Sequence, residues 1–438
     1  MKYVYWGLFW VSVYLVIVLA PQFVLLVGPV PAGNGFWWDF SISLGFAGAA
    51  MLCMMFFLTA RFRRATVPFG IDLIYYFHRH ISIVAFIIIL AHPAILLALD
   101  PGLFDMLTPA PANWPFLTGA GSVVVLSLLL IASLWRKQLS FHYDGWRLGH
   151  IILATLALVL ALLHIEGIGN YIASPWKRAL WTIILISWLL LLGYIRLLKP
   201  WTMLKHPYTV ERIIQEKGDA WTLELCPKGH KGFSFMPGQF AWLTLWNSPF
   251  VLKEHPFSIS SSAKHPERIA FTIKELGDFT KRIKYVQPDQ TAYLDGPYGS
   301  FSIDRHPALG YVFIAGGIGI APILGMLRTL EDRRDTSQLV LFYAYSSLDR
   351  MTGIEELEHM KKNLRLRIIY VLNDPPPDWH GEKGFITRDV LQRNLPGKKM
   401  HYEYFICGPE AMIRLMEQYL HGLKIPLHHI HSELFNLV

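Results

Sequence analysis

Six apolar runs, all ahead of residue 200, constrain this chain most. They lie near residues 4–27, 40–60, 74–99, 118–135, 148–166 and 177–198. Each is about 18 to 26 residues long, and about 20 apolar residues in a helix cross a bilayer's hydrocarbon core. Lipid offers the backbone no hydrogen-bond partners, so such runs fold as helices. Lys2 ahead of the first run resembles a signal-peptide start. No A-x-A cleavage pattern follows, however, and Pro21 stands after Ala20. The first run therefore reads as a membrane helix, and residues 1–200 as a six-helix transmembrane bundle.

From about residue 200 the chain becomes mixed and charged, so the overall hydrophobic share of 53% averages two unlike halves. The 438 residues suit about three units at roughly 150 residues each. Between Tyr208 and Phe301, short strands alternate with turns. Ala220–Cys226 alternates in polarity, Lys228–Gly232 turns the chain, Pro237–Leu245 leads into a strand, and Ile269–Lys274 forms another. This pattern predicts an antiparallel β-barrel over 201–304. Beyond Tyr311, strands alternate with helical segments, which predicts an α/β domain with a parallel sheet over 305–438.

Four histidines lie inside the apolar runs as two matched pairs. His78 and His92 are 14 residues apart, and so are His150 and His164. Fourteen residues rise about 21 Å in nearly four whole turns, so each pair lies on one helix face. Two such helices face to face make two His–His sites stacked across the membrane. Neutral imidazole is a good axial haem ligand, and two stacked haems would carry electrons through the bilayer. A single membrane histidine often only hydrogen-bonds a neighbour; two pairs of equal spacing argue against coincidence. His80 is 12 residues from His92 and falls on another face.

Arg61, Arg63 and Arg64 follow the second run, Arg136 and Lys137 the fourth, and Arg196, Lys199 and Lys205 the sixth. The loops near 28–39 and 100–117 carry no Lys or Arg. The positive-inside rule then places both termini and the C-terminal half in the cytoplasm. His78 and His150 lie toward that side, and His92 and His164 toward the outside. Lys177 and Arg178 break the pattern at the outer start of the sixth run. They either snorkel to the interface or meet the propionates of an outer haem. The net charge of +8 is largely explained by cytoplasmic flanks, so nucleic acid is not expected as a partner. Cys53, Cys226 and Cys407 form no C-x-x-C, which argues against covalent haem, a zinc ribbon and a disulfide framework. No N-x-S/T sequon occurs, which favours a bacterial inner membrane as the location.

In the second half, Tyr311–Pro322 reads as a buried strand, a turn with Gly316, Gly317 and Gly319, and a helix start near Pro322. Such a turn lets backbone approach a pyrophosphate beside a helix N-terminus, although it is often merely structural. Three companions accompany it. His255-Pro256-Phe257-Ser258-Ile-Ser260 follows a barrel strand. Lys274, Gly277 and Thr280 form a plausible diphosphate cradle. Cys407-Gly408-Pro409 ends a hydrophobic strand and opens a helix, a crevice suited to a ligand. The segment Tyr345-Ser346-Ser347-Leu-Asp349-Arg350 offers a basic residue with hydroxyls. Arg350 reads either as a 2′-phosphate ligand or as a solvated loop residue.

With these segments in order, the second half resembles the ferredoxin–NADP reductase superfamily. HPFSIS and KELGDFT stand for its FAD motifs, and GGIGIAP and CGP for its nicotinamide motifs. The first half resembles the ferric reductase and NADPH oxidase transmembrane domain, through His78-Arg79 to His92-Pro93 and Trp146–His150 to His164. The short outer loops, with no N-terminal calcium-binding loops, look like the compact bacterial members.

The resemblance implies that His78 and His150 ligate an inner haem b, and His92 and His164 an outer one. Pro256, Phe257 and Ser258 would line the flavin of FAD, and Lys274, Gly277 and Thr280 would hold its diphosphate. Gly316, Gly317 and Gly319 would meet NADPH, or NADH. Cys407 would sit by the nicotinamide, and Phe435 would cover the flavin. Asn436, Leu437 and Val438 follow Phe435, a departure from a terminal aromatic.

Flavin accepts two electrons as hydride and releases them singly, so it belongs between the coenzyme and the haems. The expected route is NAD(P)H, FAD, inner haem, outer haem, then an outside acceptor. Bis-histidine irons have no open position, so the acceptor would be reduced at the haem edge. Dioxygen, giving superoxide, is preferred over a ferric chelate because the outer loops near 28–39 and 100–117 are short and carry no Lys or Arg to hold a large anion. The rivals are a membrane subunit delivering electrons to a separate extracytoplasmic protein, docked at Trp37-Trp38 and 100–117, and a haem-free anchored flavoenzyme. No obligate protein partner is evident.

Overall fold

The computed structural model describes residues 2–27, 34–62 and 70–434. Arg63, Arg64 and Phe435 through Val438 lie outside the described residues. The described chain forms two compact units, one running through Phe62 and over Leu73–Lys199, the other from Pro200 onward.

The first unit is helical: α1 (Lys2–Leu26), α2 (Phe36–Thr59), α3 (Gly70–Leu99), α4 (Trp114–Leu134), α5 (Tyr143–Ile168) and α6 (Pro175–Gly193). Among the described residues, five helices are long and apolar enough to span a membrane; α1 offers the shorter apolar stretch Leu8–Val24. At most 33% of any of the five spans is buried within the protein. Leu128 and Ile131 on α4, Ile152 and Leu156 on α5, and Ile183 and Leu190 on α6 all face outward. Apolar surface on this scale is expensive in water and matches lipid. Inside, small residues allow close approach, as membrane helices require without a hydrophobic drive between them. The buried hydroxyl of Ser122 on α4 donates to the Ala157 carbonyl of α5 at 2.8 Å. Phe46 and Phe56 of α2 pack on Trp181 and Trp188 of α6.

The sixth apolar run continues through a π-helical turn at Tyr194–Leu198 into α7 (Lys199–Lys205). The strands of the second unit start with β1 (Tyr208–Glu216), β2 (Ala220–Pro227), β3 (Phe240–Leu245), β4 (His255–Ser258), β5 (Ile269–Lys274) and β6 (Thr291–Tyr298). They form one antiparallel sheet in the order β4-β3-β6-β1-β2-β5. The sheet curls so that Ile259, just past β4, bridges Phe271 of β5. Leu223, Leu243, Ile259 and Phe271 are fully buried inside the curl. Pro256 is tolerated because β4 ends the strand order.

The rest is α/β: β7 (Gly310–Gly316), α8 (Ile320–Asp332), β8 (Gln338–Tyr345), α9 (Ile354–Met360), β9 (Leu366–Leu372), β10 (Glu382–Lys383), α10 (Arg388–Asn394), β11 (Tyr402–Gly408), α11 (Glu410–Gly422) and β12 (Ile430–Leu434). The sheet is parallel, in the order β10-β9-β8-β7-β11-β12. One face packs on α8 and α9 and the other on α10 and α11. Strand order runs outward in both directions from β7, so the switch point lies between β7 and β11. Open α/β sheets bind ligands at that place, beyond the strands' carboxyl ends.

Candidate functional site

The spacing argument for the four membrane histidines has a direct geometric counterpart. The His78 and His150 ring centroids lie 6.3 Å apart, and those of His92 and His164 lie 6.2 Å apart. A metal bound to imidazole nitrogens at about 2 Å, each centroid about 1 Å behind its nitrogen, separates two rings by about 6 Å. Three rings are also oriented for a metal. Nδ1 of His92 meets the Ser41 carbonyl at 2.9 Å, and Nδ1 of His164 the Pro115 carbonyl at 2.8 Å. A carbonyl only accepts, so both Nδ1 atoms carry the proton and Nε2 keeps its lone pair. Nδ1 of His150 lies 3.1 Å from Ser133 Oγ, whose own proton goes to the Leu129 carbonyl. It too is the donor. His78 Nδ1 has no partner among the described residues. Both pairs fit bis-histidine haem ligation.

The His92–His164 pair is closely walled. A Cβ on Gly119 of α4 would stand 2.7 Å from His164 Nδ1, and one on Gly45 of α2 would stand 3.3 Å from the His92 ring. His80 turns away, its Nδ1 bonded to the Tyr76 carbonyl at 2.8 Å. Of the two cations at the start of α6, Arg178 pairs with Glu166 at 3.4 Å. Lys177 is only 1% exposed, which is burial rather than snorkelling.

In the curled sheet, the HPFSIS and KELGDFT segments come together through one ring. Phe279 stacks on His255 at 4.0 Å and on Phe257 at 5.9 Å. Trp246 meets its edge. The loop around Gly277 is self-organised: Thr280 Oγ1 accepts from the amides of Leu276 and Gly277 at 2.8 and 2.9 Å. Thr280 is thus the first residue of a 3-10 turn, whose N-cap is Phe279. Glu275 anchors the loop to β2 through Trp221 Nε1 at 2.8 Å. That bond, together with Lys284, holds its carboxyl below the usual carboxylate range. Gly277 itself faces open space. Ser258 and Ser260 are buried. The Ser260 hydroxyl accepts from Thr272 inside the curl, so it belongs to the core network rather than to a ligand surface.

The glycine turn and the CGP turn meet at the switch point. Gly319 lies so close to the Cys407 carbonyl that any Cβ there would collide with it, and a Cβ on Gly408 would crowd Gly316. Gly317 adopts φ 56° with open space beside it. α8 starts at Ile320, two residues before Pro322, and Pro409 is the N-cap of α11. Two helix N-termini therefore converge on one crevice, a favourable place for phosphate charge. Cys407 is fully buried beneath it.

α8 ties this crevice to the curled sheet. Arg328 donates to the Ser260 carbonyl at 2.6 Å and grips Glu356 of α9 with two bonds of 2.7 Å. Thr329 Oγ1 accepts from the Ala263 amide at 2.9 Å. The helix that would receive the nucleotide is thus fastened to the segment directly after HPFS. Lys274 lies 5.4 Å above the Tyr345 ring. Arg350 pairs with Asp219 at 2.5 Å, so a coenzyme phosphate would compete with a carboxylate there. Ser346, just beyond β8, is exposed. Leu434, the last described residue, pairs with Gly408 of the CGP turn.

Sequence reasoning missed Phe279, Arg328, Ser41 and Ser133. Phe279 stood inside a quoted motif; the others carry no local signal, since their partners are distant in sequence.

Residues 44–161 match the ferric reductase like transmembrane component, 217–302 an FAD-binding domain, and 313–418 an oxidoreductase NAD-binding domain. The glycine betaine monooxygenase reductase subunit of Chromohalobacter salexigens is 27% identical over 245 residues, 54% of this chain and 65% of that protein. NADH-cytochrome b5 reductase 1 of Debaryomyces hansenii is 32% identical over 152 residues, 34% of this chain and 54% of that one. Each match spans less than two thirds of the relative. Among solved structures, the FAD/NAD-binding domain of nitric oxide dioxygenase from Vibrio cholerae covers 52% of this chain and 97% of its own, at 18% identity and TM-score 0.47.

Proposed function

We propose that this chain, an NAD(P)H-dependent oxidoreductase with the membrane and flavin-reductase architecture of the ferric reductase and NADPH oxidase family, moves electrons across a membrane. The observation that carries the reading is the pair of 6.3 and 6.2 Å histidine gaps, each sized for a metal. Bound FAD would split a hydride into single electrons, and two b haems would relay them outward. The crevice at Gly316, Gly317 and Gly408 binds the coenzyme, with NADPH preferred over NADH. Phe257 and Phe279 present a ring surface to the flavin, and the loop about Gly277 takes its diphosphate. His78 with His150 and His92 with His164 hold the irons, and the backbone carbonyls behind His92 and His164 fix their tautomers. Six helices, with both termini in the cytoplasm of a bacterial cell, complete this reading over domains 1–200, 201–304 and 305–438.

The acceptor in this reading is dioxygen, reduced to superoxide at the outer haem edge, with a ferric chelate as the alternative. A second reading, delivery to a separate redox protein, is favoured by relatives that are reductase subunits or components of monooxygenases. The experiment is to purify the protein, record its haem spectrum, and follow NADPH and NADH consumption with oxygen, with ferric chelate and with no addition. Superoxide formation supports the oxidase reading, chelate-dependent turnover the alternative, and slow turnover with both the delivery reading. His92→Ala or His164→Ala should remove one haem while NAD(P)H still reduces the flavin. Two haems retained in both variants would sink the assignment.

A further inference from the structure

At the opposite end of the parallel sheet from the glycine turns lies a cluster outside this electron path. His306 stands in the connector between the curled sheet and β7, Glu403 is the second residue of β11, and His431 is the second of β12. Their ligand atoms all lie within 4.8 Å of one another. His431 Nε2 is 2.6 Å from one Glu403 oxygen, and His429 Nδ1 is 2.7 Å from the other. The His306 ring stacks on His431 at 3.6 Å. All four side chains are partly shielded from solvent; those of Glu403 and His431 are 14% and 13% exposed. Glu403 lies five residues before Gly408 on one strand, about 16 Å away at 3.3 Å per residue, so the cluster is separate from the coenzyme crevice.

We propose that His306, Glu403 and His431 form a zinc site that pins the last strand to the connector. Two imidazoles and one carboxylate are a preferred zinc set, whereas calcium and magnesium want oxygen ligands only. Tetrahedral zinc with arms of about 2.0–2.1 Å holds neighbouring ligand atoms about 3.3 Å apart. The ligand atoms now lie within 4.8 Å of one another, with His431 Nε2 and Glu403 at 2.6 Å, so closure spreads that pair and turns the stacked His306 ring until its nitrogen faces the metal. Zinc takes the place of the His431–Glu403 hydrogen bond: His431 offers the Nε2 lone pair and carries its ring proton on Nδ1. His429 stays on the outer oxygen and orients the carboxylate, and water takes the fourth position.

The test uses full-length protein in detergent, stripped of loose metal and titrated with Zn²⁺ against a chromophoric chelator. The parent should take up one equivalent more than the His306→Ala/His431→Ala double variant, and zinc should raise the melting temperature of the parent only. His429→Ala should bind about 10–100-fold more weakly. Flavin content reports whether each variant folds. If the double variant loses its flavin, Glu403→Gln, which keeps an acceptor but no charge, is read in its place and should bind at least tenfold more weakly. Equal zinc uptake by parent and folded variants would overturn the site and leave the cluster as a hydrogen-bonded knot.

Discussion

A single methyl group tests the membrane site at the residue scale. Gly119 leaves just enough room for the His164 ring, whose Nδ1 is held by the Pro115 carbonyl. Gly119→Ala places carbon 2.7 Å from that nitrogen and must push the ring off its partner. Outer-shell partners of metal-bound histidines are worth about 10–100-fold in affinity. We expect the haem content of Gly119→Ala to fall while its FAD content stays at the parent level, read by pyridine haemochrome and flavin release. Unchanged haem would mean the ring has slack the geometry does not show. Phe435 offers a second test. Its predecessor Leu434 lies beside Gly408, where a cover over the flavin would start. As a cover, Phe435→Ala should change apparent coenzyme affinity and flavin fluorescence and leave the melting temperature nearly intact. An ordinary core phenylalanine would instead cost about 3–5 kcal/mol of stability.

At the element scale, α8 matters most, because it joins the coenzyme turn to the curled sheet. Arg328 makes three bonds, one to the Ser260 carbonyl and two to Glu356. Removing one partner of a shielded ion pair costs about 3–5 kcal/mol, and less where the partner can rehydrate. Glu356 is 37% exposed, so about 2–3 kcal/mol is the expected loss for Arg328→Ala in thermal or urea unfolding. Hydride transfer should slow as well, since the two platforms lose their fixed spacing. Arg328→Lys should recover only part, because an ammonium cannot span both Glu356 oxygens and the carbonyl. Full recovery by lysine would show that charge alone suffices. The same helix marks what the sequence could reveal. Its start after the glycines was legible, because strand, turn and helix are contiguous. Its fastening to Ser260 was not, because Arg328 and Ser260 are 68 residues apart. The same holds at the membrane site, where equal spacing exposed the histidine pairs but not Ser41, which lies 51 residues from His92. Ser260 shows the same limit. Its motif suggested a ligand hydroxyl, yet that hydroxyl is buried and accepts from Thr272, 12 residues away.

For the whole molecule, the question is whether electrons cross the membrane or leave on the side where NAD(P)H arrives. A haem-free anchored flavoenzyme and a transmembrane relay can share every feature of the second unit. They differ in charge movement. An electron that crosses alone separates charge, and each 100 mV of opposing potential costs about 2.3 kcal/mol per electron. In sealed proteoliposomes with NADPH outside and an enclosed impermeant oxidant, a relay should reduce the oxidant and make the NADPH side positive. Turnover should then fall as the potential builds and rise again when a protonophore collapses it. His92→Ala should abolish reduction of the enclosed oxidant, yet still allow the flavin to reduce a soluble dye added outside. A voltage-sensitive dye and the absorbance of the enclosed oxidant read both effects together. Reduction confined to the NADPH side in the parent protein, with no potential and no protonophore effect, would reject the relay. The two 14-residue histidine spacings would then be structural features of the bundle.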